Sequence, residues 1–115
     1  MNRVKKRSTE NFLRAGAMLQ LLRRVLIDTG IEAQYVITVK ERDALDAALR
    51  KVEKVRSDTE DIMFKCRFKL DDFPEDPTHV FYGSLGREPR SDTDREVLDL
   101  IWKYLEGLKD AFKRK

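Results

Sequence analysis

The chain has one histidine and one cysteine, the side chains that most often serve nucleophilic catalysis. A catalytic pair would need His79 and Cys66 in contact, with a third group orienting the base. Cys66 falls in phase with the apolar face of a predicted helix, which favours an inert buried thiol. We therefore assign no catalytic residue and expect a protein that is not an enzyme.

A run of carboxylates close to His79 is the best candidate for a metal site: Asp71, Asp72, Glu75 and Asp76. Oxygen ligands suit calcium or magnesium, but the run lacks the regularly spaced ligands and the glycine of a calcium loop. Pro74 and Pro77 in the same segment favour an acidic, solvated turn. We therefore expect no metal and no cofactor. Residues 83–86 also lack the spacing and the lysine of a phosphate-binding loop.

Basic residues are concentrated at the start of the chain and along the first predicted helix: Arg3, Lys5, Lys6, Arg7, Arg14, Arg23 and Arg24. A basic arm that leads into a helix can bind nucleic-acid phosphates. Against this, the net charge is only +3. The first two helices are also joined by about eight residues, which is longer than a helix-turn-helix connection. Nucleic-acid binding is therefore the alternative hypothesis.

Aromatic and arginine residues of the long loop are the candidates for protein binding: Phe73, His79, Phe81, Tyr82, Arg87 and Arg90. Such side chains commonly anchor protein interfaces. The competing interpretation, which we favour for residues 80–82, is that the segment folds back and covers the helical core.

The composition is typical of one folded domain spanning residues 1–115, with 41% hydrophobic and 39% charged residues. The charges are mixed, 24 Lys and Arg against 21 Asp and Glu, whereas disorder requires a high net charge. A single cysteine excludes an intrachain disulfide. The basic start is followed by polar residues where a secretory signal would be apolar, and no apolar run is long enough for a membrane span. We expect a cytoplasmic protein without a membrane partner.

The first helix is predicted from about Thr9 to Thr29, after a flexible basic arm over residues 1–8. Gly30 is the expected stop. Apolar residues cover more than half of the circumference, which indicates packing against two neighbours or an interface. Small residues at positions 15–17 indicate a close helix crossing.

The second helix is predicted to begin at a capping box formed by Thr38 and Glu41. Its apolar face continues through Cys66, and Arg56 is assigned to the charged outer face together with Lys51, Glu53 and Lys54. Residues 64–70 alternate between apolar and basic side chains, as a strand does, but they also keep the helical phase. We favour a helix that ends before Pro74.

A long loop is predicted over residues 71–91, because the segment contains all three prolines and two glycines. The last helix follows a second capping box at Thr93–Glu96. Its predicted buried face consists of Val97, Leu98, Ile101, Tyr104, Leu105, Leu108 and Phe112.

These elements predict an all-α three-helix bundle with two long helices, a Pro/Gly-containing loop and a C-terminal helix. The expected core is Leu19, Leu22, Leu26, Leu49, Val52, Ile101, Leu105 and Leu108. We expect a small binding or regulatory protein that acts through contacts with a protein partner or through self-association, because long amphipathic helices in a short chain leave apolar surface uncovered. This character suits an accessory or inhibitor protein of a phage or mobile element.

Overall fold

The computed structural model describes residues 7–85 and 87–113. It is 76% helical and contains no strand among the described residues. The helices are α1 (Thr9–Ala33), α2 (Val39–Lys65), α3 (Thr78–Phe81) and α4 (Asp92–Lys113), with a 3-10 turn at Arg67–Lys69. The predicted all-α bundle of two long helices and a C-terminal helix is confirmed, and the C-terminal helix is also long.

The central element of the fold is α1. It contacts each of the other helices, whereas α2 and α4 scarcely contact each other. The first turn of α1 lies beside the first turn of α4, so these two helices run parallel. The α2 helix returns antiparallel along another flank. The radius of gyration, 16.1 Å, exceeds the roughly 13 Å expected of a compact domain of this length. The bundle is therefore elongated and open on one side.

The hydrophobic core is divided into two clusters on different flanks of α1. The cluster between α1, α2 and α3 contains Phe12, Met63, Val80 and Phe81, and the cluster between α1 and α4 contains Ala17, Val97, Leu98 and Ile101. Val80 and Phe81 are fully buried, which confirms that residues 80–81 fold back onto the core.

The centre of the core differs from the sequence-based expectation. Of the eight residues predicted to form it, only Ile101 is fully buried, and Leu22 is 44% exposed. On α4, Tyr104 and Phe112 are exposed instead of buried. The physical reason is that α2 and α4 do not close against each other, so residues aimed at the expected centre of the bundle are only half covered.

The boundaries of α1 and α2 agree with the sequence at three of four ends. Ser8 caps α1, since its Oγ accepts a hydrogen bond from the Asn11 N–H at 3.1 Å. The predicted stop at Gly30 is wrong, because Gly30 lies inside the helix in open space. The capping box at the start of α2 is confirmed: Thr38 N–H donates to Glu41 Oε1 at 2.8 Å, which lowers the pKa of Glu41. The α2 helix ends at Lys65, before Pro74 as expected.

The segment between α2 and α4 is more ordered than a plain loop. Residues 64–70 form the last turn of α2 and the 3-10 turn, not a strand. One turn of helix, α3, interrupts the predicted loop. The predicted capping box at Thr93 is wrong, because α4 begins at Asp92, two residues earlier than that box requires. Ser91 Oγ accepts the Asp94 N–H at 3.0 Å and acts as the cap.

The predicted close crossing at residues 15–17 is confirmed by the contact of α3 with Gly16. A Cβ atom at Gly16 would overlap the carbonyl oxygen of Val80 and lie 2.8 Å from its carbonyl carbon. The backbone of α3 therefore rests directly on the backbone of α1, and only glycine leaves room for this contact.

Candidate functional site

Three of the six predicted protein-binding residues pack within the fold. Phe81 is fully buried and out of reach of a partner. Phe73 is half-buried, with its ring centroid 5.8 Å from that of Phe64. His79 is half-buried, and its Nδ1 lies 2.6 Å from Ser91 Oγ.

The other three, Tyr82, Arg87 and Arg90, are exposed. Tyr82 and Arg90 are in direct contact, because Arg90 Nη2 donates to the Tyr82 carbonyl at 2.7 Å.

The basic residues proposed to bind nucleic acid are only partly within the described chain. Arg3, Lys5 and Lys6 lie outside the described residues, and Arg7 is exposed. The three arginines on α1 are all paired with carboxylates: Arg14 with Glu10 at 2.6 Å, Arg23 with Glu53 at 3.1 Å and Arg24 with Asp28 at 3.2 Å. These pairs neutralise much of the positive charge along the helix.

The two candidates for catalysis, His79 and Cys66, have structural contacts. Ser91 Oγ, which contacts His79, also caps α4. Cys66 packs at the edge of the cluster around Met63. In the part of the chain that the structure describes, no three His, Cys, Asp or Glu side chains converge as a metal site would require.

A cavity of about 320 Å³ brings together residues from both predicted sets. It lies between α1, α2 and residues 82–90, and we call it the arginine pocket. Among the described residues, its lining contains four arginines and no carboxylate: Gln20, Arg23, Arg24, Arg56, Tyr82, Gly83, Leu85 and Arg90. Its composition makes it a candidate site for an anion.

Arg56 is held in the pocket by contacts on two sides. Its Nη2 lies 3.7 Å from Glu53 Oε2, the same oxygen that pairs with Arg23. Its guanidinium carbon lies 4.0 Å from the centroid of the Tyr82 ring, in a cation–π arrangement. Arg56 Nε is buried and has no hydrogen-bond partner among the described residues. The guanidinium is thus oriented but keeps an unused donor.

Asp94 fixes the segment that carries Tyr82 and Arg90. Its carboxylate is fully buried and accepts hydrogen bonds from the backbone N–H groups of Ser84 and Arg90, each at 2.9 Å. Arg90 Nε lies 3.5 Å from the same carboxylate. Burial raises the pKa of Asp94, but the hydrogen bonds from Ser84 and Arg90 outweigh burial and hold that pKa below its usual range.

Gln20 joins the same segment to α1. Its Nε2 donates to the Val80 carbonyl at 2.8 Å and approaches the His79 carbonyl at 3.3 Å. Gly83 fits against these groups so closely that a Cβ atom would lie 2.6 Å from Gln20 Oε1 and 2.8 Å from Asp94 Oδ1. Gln20, Gly83 and Asp94 therefore set the position of the pocket wall.

A second surface lies on the opposite side of α1. Met18, Leu22 and Val25 occupy successive turns and are 41%, 44% and 50% exposed. We call these three residues the apolar stripe. Met18 and Leu22 each stand about 200° around the helix from Gln20, away from the arginine pocket. Met18 also lines a cavity of about 270 Å³ with Leu100 and Tyr104 of α4. Three helices pack on α1 and still leave this face uncovered.

Two residues important to the pocket were not predicted from the sequence: Arg56, which lines it, and Asp94, which holds the segment that forms its wall. Arg56 was assigned to the outer face of α2, but its side chain is only 13% exposed, so that assignment is wrong. The signal was available, because Arg56 follows Leu49 and Val52 at helical spacing and precedes Met63 by two turns. Asp94 was considered only as part of a capping box, since no local pattern shows that a carboxylate will bind a segment ten residues away.

Comparison of the chain with protein-family models, curated proteins and solved structures finds no match. No helix within residues 7–85 and 87–113 is long and apolar enough to cross a membrane. The arginine pocket and the apolar stripe are therefore the features of the molecule that point to a function.

Proposed function

We propose that this chain is a small, non-enzymatic binding protein of the cytoplasm that acts through protein contacts, the first of them with a second copy of itself. The observation that carries the proposal is the apolar stripe. Single exposed apolar side chains are ordinary on protein surfaces. Here three exposed apolar side chains lie on successive turns of one helix, beside a cavity that Tyr104 also lines. Together they form a contiguous patch of the kind found at interfaces.

The geometry of the stripe suits a second copy. Residues 18, 22 and 25 follow one line along α1, and a straight ridge can pack against its own equivalent across a two-fold axis. The charged side chains near the two ends of the stripe are already paired within α1, Arg14 with Glu10 and Arg24 with Asp28. These two arginines would therefore not meet their equivalents as uncompensated charges, and Lys103 at the edge of the cavity is the basic residue that a second copy would have to accommodate.

The proposal is tested by sedimentation velocity over a range of protein concentrations. We expect a dimer whose dissociation constant rises at least about tenfold in Leu22→Glu, since a buried, unpaired carboxylate costs well over 1 kcal/mol. Val55→Glu is the matched control, because Val55 is 51% exposed but lies on α2, outside the stripe. Circular dichroism of both variants verifies that the helices are intact. A wild-type chain that is monomeric at every concentration, or equal effects of the two variants, would contradict the proposal.

The nucleic-acid alternative receives less support from the described residues. Each arginine of α1 is paired with a carboxylate. Binding to the phosphate backbone would also require a strong dependence of affinity on salt concentration. The alternative would displace our proposal if the intact chain bound DNA or RNA tightly and lost that binding with rising salt.

A further inference from the structure

We infer that the arginine pocket binds a phosphoryl group, as inorganic phosphate or as the phosphomonoester of a small molecule. The site does not depend on the proposed dimer, because the apolar stripe lies on the opposite side of α1. Four guanidinium groups line one cavity, and no carboxylate of the described chain lines it with them. Guanidinium groups match phosphate oxygens by paired hydrogen bonds, which explains their use in phosphate recognition.

The carboxylates near the pocket orient the arginines from outside its lining. Glu53 holds Arg23 and Arg56, and Asp94 approaches Arg90 Nε at 3.5 Å. Arg24 pairs with Asp28 one turn along the helix. These three carboxylates leave one positive charge in excess among the four arginines. Glu60 also lies near Arg56: burial and the neighbouring Asp61 raise the pKa of Glu60, and Arg56 lowers it.

Arg56 keeps one N–H donor, at Nε, that has no partner among the described residues. Its side chain is 13% exposed and is stacked on the Tyr82 ring, so little further ordering is needed on binding. Its buried Nε has no partner in the described structure, and an unpaired buried donor is costly. Because Nε is closed off from the cavity, the guanidinium would have to rotate before a phosphate oxygen could serve as the missing acceptor.

The size of the cavity selects the class of ligand. At about 320 Å³ it exceeds what a bare phosphate ion fills and falls within the range of small-molecule sites. The cavity is also a recess bounded by three segments of the chain, whereas a nucleic-acid backbone is usually followed along a charged groove. A phosphorylated small molecule therefore fits better than a polymer.

Isothermal titration calorimetry tests the inference with inorganic phosphate, adenosine monophosphate and adenosine as probes. We expect saturable binding of both phosphate-containing probes at or below about 1 mM and no binding of adenosine. Tighter binding of the nucleotide identifies a phosphomonoester, and equal binding identifies free phosphate as the ligand. No saturable binding of either phosphate probe at that concentration would overturn the inference, as would equal binding of adenosine and its monophosphate.

Two variants of matched charge locate the site. Arg24→Gln removes a pocket arginine that is paired with a carboxylate four residues along α1, and its side chain is 60% exposed. Arg14→Gln removes an arginine in an equivalent pair, 61% exposed, that does not line the pocket. We expect Arg24→Gln to weaken phosphate binding about tenfold, the value typical of a lost charge-assisted hydrogen bond, and Arg14→Gln to leave it unchanged. If both variants weakened phosphate binding equally, the effect would come from the total positive charge of the protein and not from the pocket, and the inference would be overturned.

Discussion

The contact between α3 and α1 predicts opposite effects for the same substitution at two glycines of one helix. Both Gly16 and Gly30 lie within α1. A Cβ at Gly30 meets nothing within 4 Å, whereas a Cβ at Gly16 would overlap the Val80 carbonyl oxygen. In open space, Gly→Ala within a helix stabilises a protein by about 1 kcal/mol. Gly30→Ala should therefore raise the free energy of unfolding by about that amount.

At Gly16 the helix-propensity gain of about 1 kcal/mol is opposed by two costs. Forcing a methyl group into a filled contact costs about 1–3 kcal/mol. Separation of α3 from α1 also breaks the buried hydrogen bond from Gln20 to the Val80 carbonyl, which costs about 1–3 kcal/mol more. Gly16→Ala should therefore destabilise the protein by about 1–5 kcal/mol.

The assay is urea denaturation followed by circular dichroism, with Gly30→Ala and Gly107→Ala as controls in open space. The urea midpoint should fall for Gly16→Ala and rise for both controls, with unchanged slopes. In thermal melts, each kcal/mol should appear as a shift of roughly 4 °C for a chain of this size. A midpoint for Gly16→Ala equal to or above that of the wild type would refute the placement of α3 on α1.

Three further changes test other parts of the fold. Asp94→Asn should destabilise by about 1.5–3 kcal/mol, because an amide cannot accept all the hydrogen bonds that the buried carboxylate receives from Ser84 and Arg90. Folding lowers the pKa of Asp94, so the ionised carboxylate stabilises the folded chain above the usual pKa range of Asp, and this stabilisation is lost as pH falls below about 4. In urea titrations between neutral pH and about pH 3, the wild type should therefore lose more stability than Asp94→Asn. Leu105→Ala should cost about 1–2 kcal/mol, less than a fully buried leucine, because Leu105 is half-buried against the α4 cluster. Phe112→Ala should change stability by no more than about 0.5 kcal/mol, because Phe112 is 77% exposed, and a loss as large as that of Leu105→Ala would show that the end of α4 is covered.

The helices follow from local chemistry, and this is why the sequence predicts them. The capping box of Thr38 and Glu41 and the apolar periodicity of α1, α2 and α4 act within a few residues of each other. The misplaced ends also have local reasons. A glycine ends a helix where the chain must adopt a positive φ. Gly30 lies in open space within α1, and its backbone does not adopt a positive φ.

The arrangement of the helices depends on contacts that sequence periodicity does not describe. The burial of Phe81 requires α3 to rest on Gly16, and the wall of the arginine pocket requires Asp94 to bind residues 84 and 90. These contacts join segments that are far apart in the chain or irregular in structure. The sequence therefore identified Tyr82, Arg90, Arg23 and Arg24 as candidates in two separate sets, and only the fold places them around one cavity.

The pairing of α1 with its equivalent in a second copy is tested most directly by cysteine cross-linking. In a Cys66→Ser background, Leu22→Cys lies at the middle of the apolar stripe, where a two-fold axis would bring equivalent residues together. Mild oxidation should convert this variant to a disulfide-linked dimer, and Val55→Cys in the same background should form no disulfide-linked dimer. Failure of Leu22→Cys to cross-link, or equal cross-linking of Val55→Cys, would contradict the proposal that the chain associates through the apolar stripe of α1.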